Sequence, residues 1–341
     1  MSIISGGHKD CKRIITGTGE RLDDRSATGR KRPWEERKKQ NEQLRELFSL
    51  AREIESDIIS DSRMKSLCDC ASWLEFAQRE DNTRKLTVAN FCRLRLCPMC
   101  AWRRSLKLFS QVSTITDAIL RDKKVRFIFV TFTIKNVKGE DLQNAIKRMN
   151  LGFSYLTQAK KKFLMASKLQ ENLLGYLKAV EVTYNARSDD FHPHIHCIFE
   201  VKPSYFTGES KWGSYLNHAS WVALWRAAMK LDYDPQVNVK AIKNTKAKAV
   251  AEVAKYPIKP DGLLKMKDKQ QAARALIQLK KGIHNCRFVA FGGDFKEYKK
   301  RLYLDDVENG DLVHVETDTE SLNAVAYVWF RWHARIGVYV C

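Results

Sequence analysis

The amino-acid sequence predicts an α+β fold in which helices flank a central antiparallel sheet. The segment VRFIFVTFTIK, at 125–135, is a run of β-branched and aromatic residues typical of a strand. Two further strand-like segments, 173–185 and 192–201, are separated by polar residues, as in a β-hairpin. Apolar residues also recur at the three-to-four spacing of amphipathic helices, which places helices beside this sheet.

The remaining elements follow along the chain. Residues 31–60 combine a basic start with apolar residues at helical spacing, which predicts a first helix. Four more helices are predicted at 142–158, 214–231, 246–256 and 268–281, and a short strand at 237–243. Pro257 ends the helix that precedes it, because the residue before a proline is biased away from helical geometry.

The charge of the chain limits its partners. The 341 residues include 60 Lys and Arg against 40 Asp and Glu, a formal net charge of +20. An excess of this size indicates a polyanionic partner, most often nucleic acid. There is no apolar run of about 18 residues and no signal-peptide pattern at the start, so we expect no membrane association and a cytoplasmic location.

Two histidines in one predicted strand form the first candidate site. His194 and His196 share one face of the strand at 192–201, because alternate side chains of a strand point to the same side. Two imidazoles on one strand make half of a divalent-metal site. We expect Glu181, in the preceding strand, to face the pair as an oxygen ligand, with His192 as a rival third ligand. The alternative is a pair of partly buried polar residues without a ligand.

A cysteine cluster forms the second candidate site. Cys92, Cys97 and Cys100 form a C-x4-C-x2-C array, and the C-P-x-C turn directs two thiolates at one ion, as in a zinc knuckle. A closed tetrahedral zinc site needs a fourth ligand, for which Cys70 is the first candidate and Cys68 the alternative. Buried free thiols and a redox pair are weaker interpretations, since a thioredoxin-type strand before the C-x-x-C is absent from the pattern.

Four arginines surround the cysteine array, and they suggest a contact with DNA. Guanidinium groups bind phosphate oxygens well, so we expect these side chains to hold the DNA backbone. The alternative is a solvated helix face. The residues are Arg93, Arg95, Arg103 and Arg104.

A tyrosine in the predicted helix at 246–256 forms the third candidate site. Glu252 and Tyr256 are four residues apart, so their side chains lie on one face of that helix. A tyrosine hydroxyl can attack phosphorus and form a phosphotyrosine link when a divalent ion or nearby lysines assist it. Lys255 and Lys259 are the nearby lysines. Read alone, Tyr256 is more often an ordinary core or surface aromatic residue.

Five motifs occur in one order along the chain: FCRLRLCPMCAWRRS at 91–105, FVTFT at 129–133, EVT at 181–183, HPHIH at 192–196 and KYPIK at 255–259. In this combination, the sequence resembles the rolling-circle plasmid replication initiators (Rep proteins) of the HUH endonuclease superfamily. The likeness is to the single-tyrosine group that carries a Cys-Arg zinc knuckle. It extends from about residue 31 to about residue 303.

The resemblance implies an architecture. The HUH endonuclease fold is a central antiparallel sheet with the histidine strand in its middle and the tyrosine helix beside it, here preceded by a zinc-binding segment. We expect four parts: a flexible basic N-terminus and helix at 1–60, the zinc-binding segment at 61–105, the nicking domain at 106–303 and a C-terminal tail at 304–341. The acidic stretch in that tail matches no family segment, and its apolar end is either a closing strand or a dimer edge.

The resemblance also implies roles for single residues. His194 and His196 would hold Mg²⁺ or Mn²⁺, and the zinc would be structural. Tyr256 would nick the double-strand origin and stay linked to the 5′ phosphate, which leaves a 3′-OH to prime synthesis. Glu252 would activate water at termination, and Lys259 would orient the tyrosine or the phosphate.

The partners implied are the plasmid origin, single-stranded or hairpin-shaped at the nick, and a host helicase and DNA polymerase. Two other functions remain open from the residues. An HUH transposase or conjugative relaxase would use the same chemistry on another substrate. A zinc-containing DNA-binding regulator without catalysis would explain the charge and the cysteines, but would leave the histidine pair and Tyr256 without a role.

Overall fold

The computed structural model describes residues 13–26, 28–81, 83–158, 166–206, 215–242, 261–315 and 324–341. The helices are α1 Trp34–Ile54, α2 Asp61–Asp69, α3 Pro98–Asp122, α4 Leu142–Thr157, α5 Ser167–Asn172, α6 His218–Met229, α7 Asp261–Leu264, α8 Lys269–Gly282 and α9 Asp294–Arg301. The strands are β1 Arg13–Ile15, β2 Trp73–Gln78, β3 Arg84–Ala89, β4 Arg126–Thr133, β5 Leu173–Asn185, β6 Asp190–Val201, β7 Val237–Ile242, β8 Val289–Gly293, β9 Ala326–His333 and β10 Val338–Val340.

These elements form two five-stranded sheets with helices packed against them, which confirms the α+β class. Across the described ranges, no helix is both long enough and apolar enough to span a membrane. The central sheet has the strand order β7-β4-β6-β5-β8, and every pairing in it is antiparallel. Strand β6, which carries the histidines, is therefore the middle strand, as the family resemblance implies.

The two faces of the central sheet are covered differently. Helices α4 and α6 pack on one face, where Phe132 of β4 and Phe199 of β6 contact aromatic rings of both helices. Helix α8 packs against α4 and α1. Helix α3 packs on the other face, through Leu108, Val112 and other apolar residues of one helix stripe. Burying both faces explains the nearly continuous apolar composition of β4 and β6.

The cover provided by α3 ends partway along the sheet. The apolar residues of this face reach Phe129 on β4 and Ala179 on β5. Two residues further along each strand, on the same face, lie Thr131 and Glu181, and His196 stands between them on β6. On this face, the side chains change from apolar to polar where the strands extend beyond α3. The candidate metal site lies at this position.

The C-terminal strand lies inside the second sheet. Its order is β1-β9-β2-β3, with β10 also paired to β9; β1 is parallel to β9 and the other pairings are antiparallel. One face is buried through Leu74, Phe76, Val328 and Phe330. Of the two interpretations that the sequence left open for the apolar end, the structure shows the closing strand.

Candidate active site and metal centres

A glutamate and two histidines converge on the open end of the central sheet. Strand register places Glu181 of β5 directly opposite His194 of β6, with His196 one pleat further along. Oε2 of Glu181 lies 3.2 Å from Nε2 of His196 and 3.4 Å from Nε2 of His194. All three side chains are about nine-tenths buried. The long, regular hairpin of β5 and β6 fixes this arrangement, because the side-chain positions follow from register alone.

Hydrogen bonds at the opposite ring nitrogens orient both imidazoles. Nδ1 of His194 lies 3.3 Å from the carbonyl oxygen of His192, which can only accept, so the proton of the neutral ring is at Nδ1. Nδ1 of His196 lies 3.0 Å from Oγ1 of Thr131. Both Nε2 lone pairs can then face the Glu181 carboxylate. Three acceptor atoms this close require a cation or a proton between them.

The geometry of this group fits a divalent cation. With metal–ligand bonds of about 2.1 Å, neighbouring ligands of an octahedral ion are about 3 Å apart. The carboxylate–imidazole distances of 3.2 and 3.4 Å are close to that value. Three protein ligands leave coordination positions for a phosphate oxygen or water. Glu181, His194 and His196 would therefore hold the ion and keep one side of it open.

His192 does not join this group. Its ring lies beside that of His194, with 5.3 Å between the centroids, but its Nδ1 lies 2.9 Å from Oδ1 of Asn136. Asn136 in turn donates to Asp190 at the start of β6. The His192 side chain is thus held at the strand entry, as its position beside the proline suggests.

Four cysteines form a second, closed group. The Sγ atoms of Cys70 and Cys97 are 3.6 Å apart, and Cys100 lies 3.7 Å from both Cys70 and Cys92. A tetrahedral zinc site with Zn–S bonds of about 2.3 Å has sulfur–sulfur distances of about 3.8 Å. The four thiols therefore fit zinc. Cys68 is outside the group, and its side chain is partly exposed.

Donors around the cysteine cluster favour thiolates. The backbone N–H groups of Cys92 and Arg93 point at the Sγ atoms of Cys70 and Cys100, at 3.4 and 3.3 Å. A left-handed backbone at Arg93, with φ of 58°, brings its N–H into this position. Cys97 caps the N-terminus of α3, where the helix dipole stabilises negative charge. These donors orient and stabilise the ligands of a metal ion.

Helix α1 also reaches the cluster. Asn41 donates to Sγ of Cys97 at 3.4 Å, and the buried ammonium of Lys38 donates to the carbonyl of Cys70 at 2.6 Å. Contact with the Cys100 thiol raises the pKa of Cys70, so the ion-free cluster retains protons that zinc would displace. These roles of Lys38 and Asn41 cannot be predicted from the sequence, because the pattern of an amphipathic helix does not show which distant residues its buried polar side chains contact.

The cysteine cluster joins four elements, α2, β2, β3 and α3. Cys70 follows α2 and precedes β2, and Cys92 follows β3. Cys97 and Cys100 lie at the start of α3. The β2–β3 hairpin therefore begins and ends next to the same group of thiols, which hold the two ends of the hairpin together.

All four arginines around the cysteine array were expected to contact DNA, but the structure buries two of them against the chain. Arg103 and Arg104 are 4% and 2% exposed. Arg103 donates to the carbonyls of Leu312 and Val313. Arg104 donates to the carbonyl of Glu308, at 3.0 Å. The expectation is corrected for this pair: their guanidinium groups hold the C-terminal segment to α3, which leaves them unable to reach a phosphate.

The acidic stretch of the C-terminal segment binds basic residues in α3 and in the loop before it. Arg95 pairs with Glu308 at 2.9 Å and donates to two backbone carbonyls. Oε1 of Glu308 accepts the backbone N–H groups of Phe288 and Val289. Lys107 forms an ion pair with Asp305. Arg93 is the exposed member of the four arginines.

The expected catalytic residues of the tyrosine helix lie outside the described residues. Glu252, Lys255, Tyr256 and Lys259 fall between β7 and α7, in the range 243–260. Their expected roles stay predictions. Thr131, in the motif FVTFT at 129–133, contacts His196, a role that the motif alone does not reveal.

The fold and site define an α+β protein with a Glu–His–His group on its central sheet and a separate four-cysteine cluster. A family model described as "Replication protein" matches residues 83–340. A "Protein rep" of Streptococcus pneumoniae serotype 2 is 36% identical over 315 residues, which cover 91% of this chain and 92% of that one.

Two further relatives agree. A "Protein rep" of Bacillus amyloliquefaciens is 34% identical over 339 residues, 94% of this chain and 96% of that one. A "Protein rep" of Lentilactobacillus hilgardii is 34% identical over 312 residues, 89% and 93% of the two chains. No solved structure matches. The chain belongs to this replication protein family, the family of plasmid replication initiators.

Proposed function

We propose that this plasmid replication initiator nicks one strand of the double-strand origin through a phosphotyrosine link and so starts rolling-circle replication. The observation that supports it is the convergence of Glu181, His194 and His196 on the middle of the central sheet, in a replication protein. A group that can hold a divalent cation and leave one side open suits chemistry on a phosphodiester.

The nicking step is a transesterification. The hydroxyl oxygen of Tyr256 attacks the scissile phosphorus, and the bond from phosphorus to the 3′ oxygen breaks. The tyrosine loses its proton, the 3′ oxygen gains one, and the 5′ phosphate remains on the tyrosine as an ester. A divalent ion bound by the Glu–His–His group would stabilise the charge that develops on the phosphate oxygens. The burial of the three ligands strengthens this effect.

Termination would use a second nucleophile. With one catalytic tyrosine, a water activated by Glu252 can cleave the regenerated origin and release the product. Lys259 would orient the tyrosine or the phosphate, and Lys255 would contact the DNA backbone. These residues follow from the family resemblance and the sequence motif at 252–259.

The two candidate metal sites would have separate roles. The buried four-thiol cluster is closed, suits zinc and would support the fold of the N-terminal segment. The Glu–His–His group supplies a carboxylate and leaves positions open, which suits Mg²⁺ or Mn²⁺ at a catalytic site. We propose no exchange of ions between them, because thiolates select softer ions.

The proposed partners follow from the proposed reaction. The substrate is the plasmid origin, with single-stranded or hairpin DNA at the nick. A host helicase and DNA polymerase would extend the freed 3′ end, and the protein would work in the bacterial cytoplasm. The printed names of the relatives favour replication over a transposase or relaxase.

The test is adduct formation with a labelled oligonucleotide that carries the nick site of the protein's own plasmid. Protein, Mn²⁺ and oligonucleotides labelled on either side of the nick are separated on a denaturing protein gel. We expect the label on the 3′ side of the nick to remain with the protein, with the adduct mapping to Tyr256. Tyr256→Phe should abolish the adduct, and Glu181→Ala should reduce it by about 100-fold or more.

Tyr184→Phe is the matched control, since this tyrosine lies on the active-site hairpin and bonds only to Asp189 and Gln271 among the described residues. It should nick like the unmodified chain. An adduct of full yield in Tyr256→Phe would overturn the tyrosine assignment. Salt-sensitive binding of the origin without cleavage under any divalent ion would favour a non-catalytic DNA-binding regulator.

A further inference from the structure

The outer face of the second sheet carries aromatic side chains. Strand alternation places Tyr327, Trp329 and Arg331 of β9 on the face opposite Val328 and Phe330, which are buried. Their partners across β2 are Ala77, Glu75 and Trp73, in that order. The face is continued at its two sides by Ile14 on β1 and Val88 on β3, which are 52% and 40% exposed.

The aromatic rings of this face do not pack in the hydrophobic cores of the protein. Among the described residues, the two hydrophobic cores and the side chains packed against them include neither Trp73 nor Tyr327 nor Trp329. All three are partly exposed. A contiguous patch of aromatic and aliphatic side chains on a soluble surface indicates a binding site.

The tryptophan pair is held in place. The ring centroids of Trp73 and Trp329 are 5.8 Å apart with 32° between the planes. Nε1 of Trp329 donates to Oε2 of Glu75 at 2.7 Å, and Oε1 of Glu75 accepts from the hydroxyl of Thr87 at 2.7 Å. The carboxylate on this face is therefore bound to its neighbours. The indole ring cannot turn without losing this hydrogen bond, so the surface is preorganised.

The charges beside the rings suit an anionic partner. Arg331 is exposed and is the strand partner of Trp73. Lys85 of β3 is a strand partner of Ala77, whose other strand partner is Tyr327. The exposed Arg335 follows in the turn between β9 and β10. The whole chain carries a formal charge of +20. Aromatic faces interleaved with cations are the pattern by which proteins bind single-stranded nucleic acid without reading its sequence.

We propose that this face is a stacking platform for single-stranded DNA, distinct from the nicking site. Tyr327 and Trp329 are two residues apart on one strand, which separates their rings by about 6.7 Å along it. Sheets that bind single strands stack two or three bases on such aromatic residues. The strand displaced during replication is the occupant that fits a replication protein with this charge.

The thiol cluster supports this surface. The β2–β3 hairpin begins after Cys70 and ends before Cys92, so Trp73 stands three residues from one ligand of the cluster. Closing the base of the hairpin fixes the position of β2 beside β9. Binding of single-stranded DNA to this face needs neither Tyr256 nor the Glu–His–His group, so it can be measured apart from nicking, whereas the displaced strand as its occupant rests on the proposed function.

The test is the affinity for an oligothymidine of about 16 nucleotides, measured by fluorescence anisotropy without Mg²⁺ or Mn²⁺. Trp329→Leu and Trp73→Leu should each weaken binding by about 10-fold, because leucine is apolar but cannot stack on a base. Trp329→Phe keeps a ring and should recover most of the affinity. Adduct formation on a short oligonucleotide that carries only the nick site should stay unchanged in all three.

Tyr303→Leu is the control, since this ring is 95% exposed and lies after α9, outside the strands of the second sheet. Circular dichroism and melting temperature verify that each variant is folded. Unchanged affinity in folded Trp329→Leu and Trp73→Leu would overturn the proposal, as would Trp329→Phe binding as weakly as Trp329→Leu. A dimer that becomes a monomer on either leucine substitution would assign the face to contact between two copies.

Discussion

Arg93 and Arg104 flank the same cysteine array, and they differ in what surrounds them. Arg104 is 2% exposed and donates to the carbonyls of Arg93, Leu94 and Glu308. Arg93 is exposed, and only its backbone is committed to the cluster, through the N–H directed at Cys100. The formal charge of a segment therefore overstates the charge that it offers to DNA.

This difference predicts opposite behaviour of two matched variants. Arg93→Gln should lower the slope of log affinity against log salt for single-stranded DNA by about 0.7, because one phosphate contact is lost. Arg104→Gln should leave that slope unchanged and lower the free energy of unfolding by about 3 kcal/mol, because buried carbonyls lose a charged donor. Salt titrations and urea unfolding measure both. Equal salt slopes for Arg93→Gln and the unmodified chain would exclude the phosphate contact.

Glu200 is a buried carboxyl near the C-terminal end of β6, far from the turn that joins β5 to β6. It is fully buried, and neither carboxylate oxygen has a hydrogen-bond partner among the described residues. Burial and the nearby charge of Asp294 raise its pKa to about 8. The folded protein therefore holds this carboxyl in its protonated form at neutral pH.

The raised pKa makes stability depend on pH. The unfolded carboxyl loses its proton near pH 4.5, whereas the folded one keeps it to about pH 8, so folding stability falls as the pH rises between these values. The loss is at most about 1.4 kcal/mol per pH unit. Glu200→Gln should remove this component, as urea unfolding from pH 5 to 8 would show. Glu297→Gln, on the exposed side of α9, is the control and should keep the full dependence.

At the scale of elements, local pattern predicts the parts whose partners are close in sequence. The β5–β6 hairpin and the helices α1, α4, α6 and α8 appear where the sequence predicts them. The position of Glu181 opposite His194 follows from the register of one hairpin. Pairings between distant segments leave no local signal. The C-terminal acidic segment meets α3, and β9 meets β2, across most of the chain.

At the scale of elements, the thiol cluster holds the base of the β2–β3 hairpin against the start of α3. We expect the purified protein to hold zinc, and Cys92→Ser to lose it and to melt at least 5 °C lower. Atomic emission and thermal unfolding measure the two effects. Cys68→Ser is the control, since Cys68 lies outside the four-cysteine group. Zinc retained in full by Cys92→Ser would contradict the assignment, and zinc lost by Cys68→Ser would move the fourth ligand to Cys68.

At the scale of the whole molecule, the two sheets share one hydrophobic core. Leu74 and Phe330 of the second sheet belong to the same cluster of buried residues as Val130 and Phe199 of the central sheet. The motifs and the family resemblance suggested four separate parts, at 1–60, 61–105, 106–303 and 304–341. Composition cannot reveal that segments from both ends of the chain build one sheet, since that depends on pairing over long sequence distances.

The shared core predicts that the chain cannot be shortened to residue 303. Such a chain would lose β9 from between β1 and β2, along with the carbonyls that satisfy Arg103 and Arg104 and the carboxylate that pairs with Arg95. We expect residues 1–303 to be rapidly digested by protease and to show no cooperative thermal transition.

A separate peptide of residues 304–341 should restore the transition when it is mixed with the shortened chain, because it supplies both β9 and the acidic segment. A peptide with Glu308→Ala should restore it less well, since Glu308 accepts from Phe288, Val289 and Arg95. Cooperative unfolding of residues 1–303 alone, at the temperature of the full chain, would show instead that the C-terminal segment is an appendage. We expect the loss of cooperative unfolding because β9 lies inside the sheet and forms hydrogen bonds on both sides. Its removal exposes the edges of β1 and β2 at once.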